Sequence, residues 1–193
     1  MTTKLLFTLI LIAILTSCGG DEILIPKPPY YLRTDFPKHT YALEEKSSTY
    51  QFELAQAYQS KLIDFKGQPT DHQEIDLGPL NGKLYLSYFP VYNRDTLIKY
   101  INISNDRVDE HQVKATKIID KTFIFPEKKV YGTFFELQGN VATNYQFYLT
   151  DSTSHFLRGE VLLNCRPNYD SLKPTLNYLK QDLLHLVETL TWK

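Results

Sequence analysis

Apolar and small residues recur at every second position over five stretches between residues 50 and 165. In order, the stretches contain Tyr50, Phe52 and Leu54; Leu84, Leu86 and Tyr88; Tyr131, Thr133, Phe135 and Leu137; Tyr145, Phe147 and Leu149; and Leu157, Gly159, Val161, Leu163 and Cys165. A period of two is typical of strands with one buried face. The segments between them, such as 126–129 and 151–154, are rich in turn-forming residues. The pattern therefore predicts a largely antiparallel β-sheet.

Two other stretches change to a period of three to four residues, which indicates helices. The final stretch carries one apolar stripe, formed by Leu172, Leu176, Leu179, Leu183, Leu186, Val187 and Leu190. Asp170 or Ser171 is the predicted N-cap of this helix, with Pro174 in its first turn. An earlier and less regular helix is predicted to begin near Asp95. Its expected inward residues are Leu97, Ile98, Ile101 and Val108.

The order of the elements is several strands, a helix, a four-strand meander and a closing helix that extends to the sequence "ETLTW". An amphipathic helix must bury its apolar stripe against another layer, and one sheet covered by two helices satisfies this requirement. We therefore predict an α+β fold built on a single, largely antiparallel β-sheet covered by two helices. It forms one domain over residues 41–193. This arrangement is similar to that of the PsbP/MOG1-like proteins.

The beginning of the chain has the organisation of an export signal. Lys4 provides a positive charge, and residues 5–15 are apolar apart from one threonine. This stretch is too short to cross about 30 Å of hydrocarbon as a transmembrane helix. The sequence "LTSC" that ends at Cys18 resembles the bacterial lipobox, in which the cysteine thiol is acylated and the preceding peptide bond is cut. We predict a lipoprotein signal peptide over residues 1–17 and a membrane anchor on Cys18, with a plain secretory signal as the alternative.

Residues 18–40 are rich in proline and have neither helical nor strand periodicity. Proline favours extended polyproline-II geometry, so we predict a lipid-anchored tether over this range. Tyrosine and arginine are enriched among the residues that anchor protein interfaces. Tyr30, Tyr31 and Arg33, together with Tyr41, therefore form a candidate docking strip for a partner protein. An equally favoured alternative is that these rings fold back onto the sheet and complete the core.

The net charge argues against a nucleic-acid partner, and the cysteine content argues against an internal disulfide. The net charge is −1 and the isoelectric point is about 6.5, so the chain lacks the basic surface that tracks a phosphate backbone, and we expect no nucleic-acid partner. The chain has two cysteines. If Cys18 is acylated, Cys165 has no partner for an internal disulfide. Because Cys165 ends an apolar run, we predict that it is a small buried residue with a structural role.

The sequence contains no recognisable catalytic or metal-binding motif. Its five histidines form no HExxH motif, and there is neither a GxSxG sequence nor a glycine-rich phosphate loop. The segment 151–155 contains an acid, hydroxyls and a histidine, but Asp and Ser are common turn formers, and a hairpin turn is the favoured interpretation. Asp182 and Glu188 are expected to be solvated, and His185 to lie at the boundary of the apolar stripe. We predict no catalytic residue, no metal ligand and no cofactor.

Four segments of the chain resemble one known family. They read "PKPPYYLRTDFP", "PEKKVYGTFFELQGN", "NYQFYLTDSTSHFLRG" and "PNYDSLKPTLNYLKQDLLHLVETLTWK". Together with the lipobox, they closely resemble GldD, the gliding-motility lipoprotein family of Bacteroidetes. The resemblance implies a non-catalytic lipoprotein of the cell envelope that is required for gliding and linked to other motility proteins and to the type IX secretion machinery. We expect it to be lipid-anchored at the outer membrane.

The alternative to this interaction role is ligand binding. The protein would then be an envelope lipoprotein with a ligand pocket between the sheet and the helix that follows Asp95. An exposed apolar or aromatic patch would favour the interaction role. A concave pocket with a few converging polar groups would favour ligand binding.

Overall fold

The computed structural model describes residues 35–65 and 68–193 and has ten strands and two α-helices in that part of the chain. The strands in chain order are β1 (Tyr41–Glu44), β2 (Tyr50–Ala55), β3 (Gln59–Phe65), β4 (Gln68–Asp76), β5 (Gly82–Pro90), β6 (Ala115–Phe125), β7 (Val130–Gly139), β8 (Tyr145–Thr150), β9 (His155–Leu163) and β10 (Thr191–Trp192). Helix α1 (Arg94–Asp109) lies between β5 and β6, and helix α2 (Tyr169–Thr189) lies between β9 and β10. The α+β class and the two helices predicted from the sequence are confirmed.

Seven strands form the larger sheet, in the order β3-β4-β5-β9-β8-β7-β6, and every neighbouring pair is antiparallel. Side chains that lie opposite each other on neighbouring strands point to the same face of the sheet. Phe147 on β8 therefore shares a face with Gly159 on β9. A Cβ atom at position 159 would lie 2.1 Å from the Phe147 ring, so the glycine provides the space that this ring fills.

The remaining strands form a separate, smaller sheet, so the prediction of a single sheet is wrong. Strand β2 lies at its centre and pairs with β1 on one side and with β10 on the other, both antiparallel. The period of two correctly predicted β2 as a strand with Tyr50, Phe52 and Leu54 buried. It did not identify the strands that pair with it. Strand β10 has two residues, which is too short to show any period, and the sequence had assigned this segment to the end of the helix.

The two helices pack on opposite faces of the larger sheet. The ring of Tyr100 on α1 contacts Phe89 and Phe156, with ring centroids 5.2 and 5.4 Å away. On the other face, the hydroxyl of Tyr145 donates a hydrogen bond to the backbone carbonyl of Leu176 on α2, at 3.1 Å. This second face and the smaller sheet enclose the main core, because the buried residues of β2 belong to the same cluster as those of α2 and β8.

Helix α2 buries the apolar stripe that the sequence predicted. Its buried stripe residues are Leu176, Leu179, Leu183, Leu186 and Val187, followed by Leu190 directly after the helix, while Leu172 is half-buried. The predicted N-cap is wrong: the side chain of Asn168, just before the helix, accepts a hydrogen bond from the Ser171 backbone N–H at 3.4 Å. Asparagine is among the strongest N-cap residues, because its side-chain oxygen satisfies a free backbone donor.

Helix α1 begins within one residue of the predicted start and is capped by Asn93, whose side chain accepts from the Thr96 backbone N–H at 2.8 Å. Of the four residues expected to point inward, Val108 is buried, Leu97 and Ile101 are half-buried, and Ile98 is exposed. The contact with the sheet follows Tyr100, Ser104 and Val108, which are four residues apart and therefore lie on one side of the helix. Ser104 is buried there and donates to the Tyr100 carbonyl at 2.9 Å.

Replacing Leu183 by alanine is expected to lower the free energy of unfolding by about 2–5 kcal/mol, because a buried leucine loses its packing and leaves a cavity. Its side chain is 2% exposed. The matched control is Leu43→Ala in β1, where the side chain is 57% exposed and the expected change is below about 0.5 kcal/mol. Urea denaturation of both variants measures the difference. Equal losses would contradict the burial of the α2 stripe.

Candidate functional site

The carboxylate of Asp182 lies on the buried side of α2 and is 4% exposed. Three side chains from the beginning of the described chain bind it. The Nδ1 atom of His39 is 2.7 Å from Oδ1, and the hydroxyl of Tyr41 donates to the same oxygen at 2.9 Å. The hydroxyl of Tyr58 donates to Oδ2 at 2.6 Å. We call His39, Tyr41, Tyr58 and Asp182 the Asp182 cluster.

Both tyrosines of the cluster remain protonated and act as donors. Burial, reinforced by the hydrogen bond to Asp182, raises the pKa of Tyr58 far above its ordinary value of 10. The same two causes, in the same order, raise the pKa of Tyr41. A carboxylate removed from water needs donors for its lone pairs, and hydrogen bonds to a charged acceptor are stronger than those between neutral groups. The cluster therefore supplies a buried acid with the hydrogen bonds that it would otherwise lose.

Aromatic rings extend the cluster along α2. The rings of Phe36 and His39 both stack on Tyr178, with centroids 4.6 and 4.3 Å away. One turn or more further along the helix, the ring of Tyr41 stacks on His185 at 3.6 Å. The chain from Phe36 to Tyr41 is thus held on α2 by three ring contacts in addition to the hydrogen bonds.

Helix α2 is also tied to β2 near the same place. The Nε2 atom of His185 lies 2.6 Å from the Oε2 atom of Glu53. The hydroxyl of Thr189 accepts a hydrogen bond from the Glu53 backbone N–H at 3.0 Å. His185 lies half-buried at the edge of the stripe, as the sequence predicted. Its contacts position β2 and β1 against the helix.

The Asp182 cluster attaches the segment from Phe36 to Tyr41 to α2, and we call this attachment the clamp. A histidine bonded to a buried aspartate is one part of many nucleophilic sites, but such a site also needs a hydroxyl or thiol beside the histidine. The ring of His39 instead contacts the Asp182 carboxylate and the rings of Tyr41 and Tyr178. Across residues 35–65 and 68–193, no three His, Cys, Asp or Glu side chains lie close enough together to hold a metal ion.

Only one residue of the predicted docking strip, Tyr41, lies in the part of the chain that the structure describes. Tyr41 is half-buried and belongs to the Asp182 cluster. Its ring packs on the domain, as the alternative interpretation of these tyrosines described. Tyr30, Tyr31 and Arg33 lie outside the described residues, as does Cys18. Their roles in partner docking and in lipidation stay predictions.

The expectation that Asp182 is solvated is wrong, whereas Glu188 is exposed as expected. Asp182 lies four residues after Tyr178 and four before Leu186, both of which are buried. Residues four apart share a helix face. This spacing is the signal in the sequence that could have identified Asp182 as an acid within the apolar stripe.

The segment 151–155 forms the turn between β8 and β9. The Oδ1 atom of Asp151 accepts hydrogen bonds from the backbone N–H groups of Thr153, Ser154 and His155, at 2.8 to 2.9 Å. The ring of His155 points elsewhere: its Nδ1 atom lies 2.8 Å from the Tyr88 hydroxyl. The acid and the histidine are therefore each occupied by separate contacts, as in the favoured hairpin interpretation.

Cys165 is exposed and free, so the prediction that it is buried is wrong. Strand β9 ends at Leu163, two residues earlier, and the alternation that buries Val161 does not continue past that point. The apolar run in the sequence extends beyond the strand, which is why the pattern assigned Cys165 to its buried face.

A hollow of about 350 Å³ lies where the alternative function had placed a pocket, between α1 and strands β6 and β7. It is lined by Asn105, Val108, Asp109, Ile118, Asp120 and Phe135. A ligand-binding role for this hollow stays a prediction. A larger open cavity of about 570 Å³ lies where β5 begins and β9 ends, beside Lys83, Tyr85 and Leu162.

A family model described as gliding motility lipoprotein GldD matches residues 21–192. The chain belongs to the GldD family. Membership makes it a lipoprotein of a gliding-motility family, and a lipoprotein is anchored to a membrane of the cell envelope. No match was found among curated proteins.

A solved structure similar to this GldD family member is the solution structure of cyanobacterial PsbP (CyanoP) from Synechocystis sp. PCC 6803. The two chains have 9% sequence identity and a TM-score of 0.47, and the match covers 82% of this chain and 96% of that chain. The similarity to PsbP/MOG1-like proteins stays a prediction. Of the described helices, neither has the length and hydropathy needed to cross a membrane.

Replacing Tyr58 by phenylalanine is expected to lower the free energy of unfolding by about 1.5–3 kcal/mol, because the buried Asp182 carboxylate loses a hydrogen-bond donor. The control is Tyr92→Phe, which removes the same hydroxyl from a side chain that is 79% exposed. We expect the control to change stability by less than about 0.5 kcal/mol. Urea denaturation compares the two variants, and a loss at Tyr58 no greater than that at Tyr92 would contradict the role of the clamp.

Proposed function

We propose that this protein is a non-catalytic, lipid-anchored component of the cell envelope that supports gliding motility and associates with the type IX secretion machinery. Residues 1–17 are the signal peptide, Cys18 carries the lipid, and residues 18–40 are the tether. Residues 41–193 are the single α+β domain. The anchor holds the protein at the outer membrane, and its partners are other gliding-motility and secretion proteins.

Membership of the gliding-motility lipoprotein family supports the envelope location. The lipobox-like sequence that ends at Cys18 supports the position of the anchor. The observation that carries the proposal is the Asp182 cluster, because it fastens Phe36, His39 and Tyr41 to α2 where the tether meets the domain.

The contacts at the two acid–histidine pairs support a non-catalytic role. Asp151 is occupied by backbone donors of its own turn, and His155 by Tyr88. Asp182 is bound by His39 and by two tyrosine hydroxyls. The imidazole of His39 is bonded to Asp182 and that of His155 to Tyr88, whereas a nucleophile is activated by an imidazole bonded to a serine, threonine or cysteine side chain.

The proposed docking strip is Tyr30, Tyr31 and Arg33 together with Tyr41, which also donates a hydrogen bond to Asp182. Tyr30, Tyr31 and Arg33 precede Phe36 in the chain. A partner protein that binds these three residues would contact the tether.

Replacing Cys18 by alanine is expected to abolish incorporation of a fatty-acid analogue, because acylation needs the cysteine thiol, and to stop colony spreading. The control is Cys165→Ala, which removes the other cysteine from an exposed position. We expect this control to keep both the label and the spreading. Metabolic labelling followed by immunoprecipitation measures acylation, and label on the Cys18 variant would contradict the lipoprotein assignment.

Replacing both Tyr30 and Tyr31 by alanine is expected to reduce colony spreading and type IX export at normal protein abundance, because aromatic anchors contribute much of the affinity of an interface. The matched control is Tyr92→Ala, an exposed tyrosine outside the strip. Spreading on agar and the amount of exported protein in the medium are measured, with abundance checked by immunoblot. Unchanged motility in the double variant would remove the docking strip from the proposal.

A further inference from the structure

Strand β6 is an unusually long free edge of the larger sheet. It has 11 residues, is the last strand in the sheet order and pairs with β7. In the part of the chain that the structure describes, no strand pairs with its other side. At about 3.4 Å per residue, the edge extends for about 37 Å. Its outward backbone N–H and C=O groups are thus available for pairing with another strand.

The opposite edge of the same sheet is protected against such pairing. Strand β3 has an irregular register between Leu62 and Asp64. The ammonium group of Lys46 donates to the Ser60 carbonyl of this strand at 2.7 Å. Bulges and covering side chains are the usual means by which proteins block a sheet edge. In β6 the register is irregular only near its start, and residues 117–125 pair regularly with β7.

The two faces of the β6 edge differ in chemistry. Lys117 and Lys121 lie on one face, because they are four residues apart in a regular strand, and both are exposed. Ile118 and Ile124 lie on the other face, where Ile124 is 66% exposed. The exposed Asp120 lies on this second face, between the two isoleucines. The Lys121 ammonium lies 4.6 Å from the centroid of the Phe123 ring. None of the ion pairs among the described residues involves Lys117 or Lys121.

The lysines disfavour a second copy of this chain as the occupant. When two identical β6 strands pair around a two-fold axis, each face of one sheet continues into the same face of the other. A pairing centred on Ile119 places Lys117 directly opposite Lys121 of the second copy, and a pairing centred on Asp120 places that acid opposite its own copy. Like charges opposite each other destabilise a strand pair, whereas opposite charges stabilise it. The charge on the face of Lys117 and Lys121 therefore matches an acidic strand.

We propose that the β6 edge binds an extended segment of a partner protein in which acidic side chains alternate with apolar ones. The backbone of the segment pairs with β6 and adds an eighth strand to the sheet. Its acidic side chains lie beside Lys117 and Lys121, and its apolar side chains lie beside Ile118 and Ile124. This inference concerns a surface of the fold and stands whether or not the proposed anchor and motility role are correct.

The test uses the full chain purified in detergent and two fluorescent synthetic peptides, one of alternating glutamate and valine and one of alternating lysine and valine. Fluorescence anisotropy is expected to detect binding of the glutamate peptide and not of the lysine peptide. Reversing both charges with Lys117→Glu and Lys121→Glu is expected to weaken the glutamate peptide by about tenfold or more and to create binding of the lysine peptide. The control reverses two exposed lysines elsewhere, Lys99→Glu and Lys173→Glu, and leaves the preference unchanged.

A second measurement separates strand pairing from simple charge attraction. A glutamate–valine peptide that is N-methylated at every residue has no backbone N–H to donate on either edge and is expected not to bind. Equal binding of the methylated peptide, or binding that survives the charge reversal at Lys117 and Lys121, would overturn the proposal. A failure of the glutamate peptide to bind would also overturn it. Self-association of a Lys117→Val and Lys121→Val variant would then show that the lysines serve to keep the edge unpaired.

Discussion

The structure depends on one buried charge. A carboxylate in a protein interior loses its hydration at a cost of several kcal/mol, and this cost is offset only when donors surround it. For Asp182 those donors are His39, Tyr41 and Tyr58. His39 lies just before β1, Tyr41 is the first residue of β1, and Tyr58 lies just before β3. Since the acid is fixed on α2, the positions of all three segments relative to the helix are fixed with it. The smaller sheet, which contains β1, is therefore positioned on α2 by these bonds together with its packing in the core and the contacts of Glu53 with His185 and Thr189.

Much of the fold could be predicted from local periodicity. The alternation around Phe52, Phe147 and Leu157 identified strands with the correct buried face, and the leucine stripe identified α2. Periodicity could not reveal the division into two sheets, because the pairing of β2 with β10 joins residues that are far apart in the sequence. In β7 the predicted face has Tyr131 and Phe135 half-buried and Leu137 fully buried, while Val130 and Phe134 on the other face are buried too. Both faces of that strand are covered, so alternation alone could not identify the face toward the main core.

The clamp was harder to predict than the fold. Its donors lie 124 to 143 residues away from Asp182 along the chain, and a single sequence contains no signal for such a pairing. An aspartate in a helix is most often solvated, and only its spacing from Tyr178 and Leu186 indicated the buried face. Tyr58 lies in the short turn between β2 and β3, where nothing in the local pattern separates it from an ordinary surface tyrosine. The donors to Asp182 can therefore be identified only from the tertiary structure, in which the fold brings them together.

The stack of Phe36, His39 and Tyr41 on α2 has a mechanical consequence. If residues 18–40 act as the proposed tether, tension along it would enter the domain at Phe36 and would first act on ring contacts and on the bonds to Asp182. These contacts lie between Tyr178 and His185, about two turns of one helix, so the force would be shared among them in shear. The same helix is held to β2 through His185 and Thr189, and this second attachment would pass the tension into the strands. Helix α2 would thus transmit force from the segment at Phe36 to the strands, and the hydrophobic core would experience that force last.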